Sequence, residues 1–236
     1  MTSVALSIVI PAYNEASRLG PTLERVFEWL EAESLDAEVL VVDDGSKDDT
    51  AALVRRYCEH FGALRLLQYG ANRGKGYAVG HGVVRANGEH VLFSDADLST
   101  PIEEYFTLAA AMGQADVAIG SRAVKGSNLE KRQPLYRELM GRSFNLAVRA
   151  AVMGDFHDTQ CGFKLFTAAA ARQCFARRRL DGFAFDVEIL YIARKLGLSI
   201  AEVPVHWQHY EASRVDPIKD SARMLADLLR IRWLHL

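Results

Sequence analysis

Five short apolar runs recur along the first half of the chain: VALSIVI (residues 4–10), EVLVV (38–42), LRLLQ (64–68), EHVLFS (89–94) and DVAIG (116–120). Hydrophobicity within each run is continuous rather than alternating, as expected of a strand covered on both faces, and such strands belong to mainly parallel sheets joined by crossover helices. The amphipathic stretches between them predict helices over 16–32, 47–61, 74–86 and 101–113, the last opened by Pro101, whose fixed φ suits a first helical turn.

After residue 120 the rhythm breaks. Residues 122–149 carry seven basic and two acidic residues around the helix breaker Pro134, which reads as a loop plus helix rather than another strand–helix–strand unit. Beyond it the pattern predicts a strand at 162–167, helices at 168–176 and 185–197, a strand at 199–205 and a C-terminal helix from about 217. No repeat or low-complexity linker divides the 236 residues, so they read as one α/β domain.

Composition narrows this only a little. With 28 Lys and Arg against 30 Asp and Glu, the net charge of −2 gives no global attraction to nucleic acid, and any anion site must be local. Cys58, Cys161 and Cys174 are odd in number and lack metal-ligand spacing, which fits reduced thiols in a cytoplasmic compartment. No stretch reaches the ~18 apolar residues of a membrane span, and no basic leader precedes the first strand, so the expectation is a protein neither secreted nor membrane-spanning.

In an open parallel sheet ligands bind beyond the carboxyl ends of the strands. The polar residues following each run are therefore the candidate site: PAYNE (11–15), DDGS (43–46), NRGKG (72–76), SDAD (94–97) and GSR (120–122). Asp95 and Asp97 flank one small residue, Ala96, directly after a buried strand, so two carboxylates converge with no basic partner in the local sequence. A hard divalent cation, Mg²⁺ or Mn²⁺, relieves that repulsion and completes its shell with phosphate oxygens; the bland alternative is a turn with solvated acids. RGKG is not a Walker A loop, because only three residues separate Gly70 from Gly74-Lys75 and Gly76 stands where a Ser or Thr is needed. Arg73 and Lys75 are candidate diphosphate contacts, or else a solvated basic turn. The dinucleotide GxGxxG is absent after the first strand.

The order PAYNE, DDGS, NRGKG, DAD, GSR resembles family 2 glycosyltransferases of GT-A fold. HDTQCGFKLF (157–166), FDVEIL (185–190), EVPVHW (202–207) and the ending DSARMLADLLRIRWL are similar to the dolichyl-phosphate β-glucosyltransferase branch. The resemblance implies an inverting, metal-dependent enzyme with a nucleotide-binding part at 1–120, an acceptor part at 121–215 and an amphipathic helix at 216–236. The donor implied is a nucleotide sugar, UDP-glucose first, and the acceptor a lipid-linked phosphate; a soluble acceptor, GDP-mannose or UDP-N-acetylglucosamine are the alternatives. By position, Pro11, Ala12, Tyr13, Glu15 and Asp44 would hold the nucleoside. Asp97 would bind metal directly with Asp95 nearer the donor ribose or sugar, Lys75 and Arg122 would flank phosphates, and Arg214, after Ser213, would lie near a phosphate. Tyr13 alternatively packs, and Asp44 alternatively caps a helix. Asp158 matches the residue often proposed as base, with acceptor positioning or metal support equally open. Asp186 is explained by its place at a helix start, and Cys161 is expected in the core rather than as a nucleophile.

A lipid acceptor implies peripheral contact with the cytoplasmic face of a membrane. The C-terminal helix sets Ile218, Ala222, Leu225, Leu229 and Trp233 on one face, broadened by Met224, Leu228 and Ile231. That pattern fits an interfacial helix and fits equally one packed on the domain. Lys131, Arg132, Arg137 and Arg142 add attraction for anionic lipid. Oligomeric state is not legible.

Overall fold

The computed structural model describes residues 4–129, 148, 154–208 and 219–236, the last segment with its side chains from residue 223. Its strands are β1 (Leu6–Ala12), β2 (Ala37–Asp43), β3 (Leu64–Gln68), β4 (His90–Ser94), β5 (Val117–Ser121), β6 (Asn128–Leu129), β7 (Phe163–Thr167), β8 (Ile200–Pro204) and β9 (His206–Trp207). The helices are α1 (Leu19–Ala32), α2 (Thr50–Cys58), α3 (Lys75–Val83), α4 (Tyr105–Ala111), α5 (Ala168–Arg177), α6 (Phe185–Lys195) and α7 (Lys219–Leu234).

Seven strands form one sheet in the order β3-β2-β1-β4-β7-β5-β8, and β6 pairs with β9 in a small second sheet. The expected parallel character holds for β1–β4 and for β5 with β8, but β7 runs antiparallel between β4 and β5. Continuous apolar sequence marks burial on both faces, not direction, so the run itself does not encode this reversal. Its consequence is functional. Because Phe163 pairs with Ser94, the start of β7 lies at the same sheet edge as the end of β4, and the segment before β7 is delivered beside Asp95.

Both faces are covered, as the continuous runs require. Along β1, Val9 packs into the layer of α3, α5, α6 and α7, while its neighbours Ile8 and Ile10 pack into the layer of α1, α2 and α4. Each such side chain contributes about 1.5–3 kcal/mol of burial, so the sheet is a rigid frame and its polar strand ends are where chemistry can be placed. Helix α1 starts at Leu19 rather than 16, because Arg18, at φ −130°, leaves helical geometry and the preceding residues form only a turn onto the Glu15 carbonyl.

Candidate active site

The first two strand ends are stitched together by side chains. Asn14, at φ 55°, donates its N–H to Ser46 Oγ at 2.9 Å and accepts from Lys47 N at 2.8 Å, while Glu15 N donates to Thr50 Oγ1 at 2.8 Å. The Glu15 carboxylate is buried and held by the Arg18 guanidinium in a two-point contact, with Arg18 Nη2 at 2.7 Å from Oε1. Pro11 and Tyr13 are half-buried and Ala12 buried, each at the strand end as anticipated.

Asp44 is neither a helix cap nor an open acceptor. Its Oδ1 accepts from Tyr69 OH at 2.9 Å and Arg73 N at 2.7 Å, and its Oδ2 from Asn72 Nδ2 and Gly74 N, both at 2.9 Å. Four donors occupy the usual acceptor capacity of a carboxylate, so this side chain shapes the 69–74 loop. Gly74, at φ 104°, closes that loop against the Asp181 carbonyl, which a Cβ would meet at 2.5 Å. Arg73 is exposed and lies 3.6 Å over the Tyr77 ring, whereas Lys75 turns toward Asp95.

At the end of β4, Asp95 Oδ1 lies 2.7 Å from Lys75 Nζ. Its N–H donates to the Gly162 carbonyl at 3.0 Å, and its carboxylate rests on that glycine so closely that a Cβ there would come within 2.0 Å of Oδ2. Asp97 accepts from Ser99 N at 3.0 Å and faces Arg18 Nη1 at 3.9 Å. Leu98 is held at φ 46°, a strained conformation for a bulky residue and of the kind that collects at functional turns. Thr22 Oγ1 clamps the turn from α1 by donating to the Ala96 carbonyl at 2.7 Å.

Behind this turn sits a buried pair foreseen in neither partner. Lys164 and Asp186 are ion-paired at 1% and 3% exposure, and Lys164 Nζ also donates to the Cys161 carbonyl at 2.6 Å. Asp186 is therefore a charge partner in the floor of the site as well as a first-turn acid. Its charge reaches forward: burial works to lower the Lys75 pKa, but Asp95 and Asp186 outweigh it and hold the ammonium form. Burial raises the Asp95 pKa, with Asp97 and Asp186 adding repulsion that Lys75 does not cancel.

The second pole lies at the end of β5. Asp158, 1% exposed, receives Arg122 Nε at 2.6 Å, Arg122 Nη2 at 2.9 Å, Arg122 N at 3.0 Å and Gln160 N at 3.2 Å. Glu202 of β8 fixes the segment from behind, accepting from Asp158 N at 2.8 Å and from His157 N. Burial disfavours the charged carboxylate, yet the guanidinium prevails and holds Asp158 below the usual range, with the Arg122 pKa raised in return. Trp207 completes the wall, its ring 5.5 Å from the Arg122 guanidinium. Cys161 is buried beside this pole, and desolvation, reinforced by Asp158, pushes its thiol up to about 11, so it stays protonated near neutrality.

The donor set fits a hard divalent cation. Asp95 and Asp97 offer carboxylate oxygens from one turn, around Asp95 the negative charge is not fully offset by Lys75, and no cluster of three or more metal-ligating side chains occurs among the described residues. Two protein carboxylates supplemented by phosphate oxygens and water suit Mg²⁺ or Mn²⁺ and not a closed zinc centre. Arg214 and Ser213, like the basic residues 131, 132, 137 and 142, lie outside the described residues. Arg18, Lys164 and Glu202 were the residues missed. Arg18 precedes a helix and has no motif of its own, and Lys164 sits in an apolar strand where only its unusual charge signals a buried partner.

A frame of this topology, with acidic and basic pairs gathered at one sheet edge, is the GT-A fold of nucleotide-sugar-dependent transferases. The chain belongs to glycosyl transferase family 2, whose model matches residues 7–175. Over nearly its whole length it is similar to dolichyl-phosphate β-glucosyltransferases. It is 37% identical to that of Dictyostelium discoideum over 99% of this chain and 76% of the relative. For the Homo sapiens protein the identity is 36% over 98% and 76%, and for that of Saccharomyces cerevisiae 32% over 99% and 75%.

Among solved structures, mannosyl-3-phosphoglycerate synthase from Rubrobacter xylanophilus superposes with a TM-score of 0.71 at 20% identity, covering 98% of this chain and 73% of that one. Glucosyl-3-phosphoglycerate synthase from Mycobacterium tuberculosis, in complex with Mn²⁺, UDP and glucosyl-3-phosphoglycerate, gives 0.71 at 18% identity, over 97% and 80%. At such identities the likeness establishes the fold. No helix among the described residues is long and apolar enough to cross a membrane.

Proposed function

We propose that this chain is a hexosyltransferase that moves glucose from UDP-glucose to a dolichyl or polyprenyl phosphate with inversion at the anomeric carbon, working peripherally at the cytoplasmic face of a membrane. Similarity over nearly the whole of this chain to dolichyl-phosphate β-glucosyltransferases supports glucose as the sugar and a lipid phosphate as the acceptor. The observation that carries the chemistry is the state of Asp158, whose oxygens are taken up by Arg122 and Gln160. A sugar-hydroxyl nucleophile needs a base to take its proton. A phosphate monoester, with a second pKa of about 6, is already largely anionic near neutrality, and at that pole the Asp158 carboxylate is already engaged by its donors.

In this reading the residues divide the work. Pro11, Ala12, Tyr13 and Glu15 line the nucleoside side, while Asp44 positions the 69–74 loop that presents Lys75 toward the diphosphate. Asp97 with Asp95 would hold Mg²⁺ or Mn²⁺, which neutralises the charge growing on the departing nucleotide diphosphate. Lys75 is drawn between Asp95 and that diphosphate, Arg18 keeps Asp97 oriented, and Arg122, locked by Asp158, meets phosphate oxygens as a preorganised donor. One incubation tests this. Protein, UDP-glucose, Mn²⁺ or Mg²⁺ and a polyprenyl phosphate should yield glucosylated lipid that chelation prevents. Transfer only to soluble sugars or phosphorylated small molecules would overturn the acceptor assignment.

A further inference from the structure

Helix α7 has two apolar faces, and only one is used by the fold. Met224, Leu228 and Ile231 are 8%, 2% and 0% exposed and pack in the core layer with α6. Leu225, Leu229 and Trp233, spaced four residues apart, are 46%, 74% and 75% exposed and form a separate stripe. The helix cannot roll to hide it. The inner face is locked, and His235 Nε2 lies 2.7 Å from Oε1 of Glu188, a fully buried carboxylate that also accepts from Arg179 N and Leu180 N.

We infer that this outer stripe is the surface by which the protein docks on a bilayer containing acidic phospholipid; the inference rests on the lipid-phosphate reading of the acceptor. Charge selects the occupant. Arg223, Arg230 and Arg232 are exposed along the same helix, and the one acid from residue 223 onward, Asp227, is turned toward Arg230 at 2.8 Å. An apolar strip edged by arginines and ending in a tryptophan matches a headgroup–acyl boundary, where the rings sit at headgroup level and cations meet anionic lipid. A second copy fits poorly. Stacking two such helices would set arginines against arginines, and three side chains, the largest an aromatic of about 150–250 Å², fall short of the about 800 Å² that each partner buries in a standard interface. A bilayer sets no such area threshold, because shallow insertion and charge attraction act together.

The test is co-sedimentation with phosphatidylcholine–phosphatidylglycerol vesicles, with phosphatidylcholine vesicles as reference, for the wild type, Leu229→Glu and Trp233→Glu. The wild type should bind the mixed vesicles more tightly than the reference and lose that preference in high salt. Each substitution should cut binding by about tenfold or more, the affinity one buried apolar side chain supplies. Thermal melts should remain unchanged, since both positions face away from the core. Glucose transfer to a water-soluble short-chain isoprenyl phosphate should be equal in all three proteins, and transfer to long-chain acceptor in vesicles should fall in the variants. Vesicle binding that survives Leu229→Glu, or a wild-type dimer that this change splits, overturns the docking surface. If the stripe governs binding but no isoprenyl phosphate is glucosylated, the docking surface stands and the proposed activity falls. If the soluble acceptor is glucosylated by a protein indifferent to vesicles, the activity stands and the docking surface falls.

Discussion

At the β4 end of the cleft, Lys75 meets Asp95 through a single contact, and both side chains keep part of their surface open, 21% and 33%. At the β5 end, Arg122 meets Asp158 through three contacts, and the carboxylate is 1% exposed. The directions of titration are set by the partners rather than by exposure. Desolvation opposes charge on both acids, but at Asp95 repulsion from Asp97 and Asp186 adds to it and pushes the group toward its protonated form, while Asp158 is held ionised by the guanidinium. An incompletely compensated carboxylate gains by receiving a cation; a saturated one has nothing left to give except the orientation of its partner. On the proposed function, two acid–base pairs of like composition would thus serve unlike ends, the first to bind what arrives and the second to aim what is already there.

The largest expected effect is at the open pole. Asp97→Ala should reduce glucose transfer by about a thousandfold or more at saturating donor and metal, because on the proposed reading it removes a metal ligand and the stabilisation of the leaving diphosphate with it. Steady-state rates together with a Mn²⁺ titration check this. Retained transfer at saturating Mn²⁺ would break the contrast between the poles at its stronger side.

The gathering of these polar strand ends at one sheet edge was largely legible in the sequence, and the reason is topological. In an open sheet the residues following consecutive parallel strands are forced to one edge, so PAYNE, DDGS, NRGKG, DAD and GSR had to meet. What each side chain does there was less legible, because it depends on partners remote in sequence. Asp44 is claimed by a loop 25–30 residues away. Arg18 reaches Asp97, Lys164 reaches Asp186, and Glu202 reaches Asp158 across 44 residues. The antiparallel insertion of β7 was invisible for the same reason: direction is fixed by connectivity. The C-terminal helix shows the limit of periodicity. One apolar sweep of sequence turned out to be two faces, and only packing against α6 separates Met224, Leu228 and Ile231 from Leu225, Leu229 and Trp233.

The closed pole should respond in a smaller and more diagnostic way. Arg122→Ala should slow transfer by about 10²–10³-fold, as for loss of a preorganised donor, and Asp158→Asn by less. If Asp158 acts through Arg122, the double variant should be no slower than Arg122→Ala alone; additive losses would give Asp158 an independent role such as base. Stability adds a second readout. Breaking the buried pair should cost Asp158→Asn about 3 kcal/mol. Since folding depresses the Asp158 pKa, its contribution is complete above the unfolded value of about 3.9 and is lost as pH falls through the lower folded value. The stability gap between wild type and variant should therefore be flat from neutral pH to about 5 and narrow below about 4. A gap that widens in acid would contradict the pairing.

Cys161 lies on the seam between the two poles, which makes its smallness of effect informative. Its carbonyl holds Lys164, its sulfur sits 3.7 Å from Thr100 Oγ1, and Asp158 contributes to keeping the thiol protonated. A thiol near 11 supplies almost no thiolate at neutral pH, and the contact to Lys164 comes from the backbone, which substitution leaves in place. Cys161→Ala should accordingly change the transfer rate by no more than about twofold and cost only about 1 kcal/mol for the small cavity left by sulfur. Rates with soluble and vesicle-borne acceptor, set beside a urea melt, measure both. A loss of activity far beyond the loss of stability would mean that the sulfur itself touches the reacting groups, and the division of the cleft into a binding pole and an aiming pole would need a third participant between them.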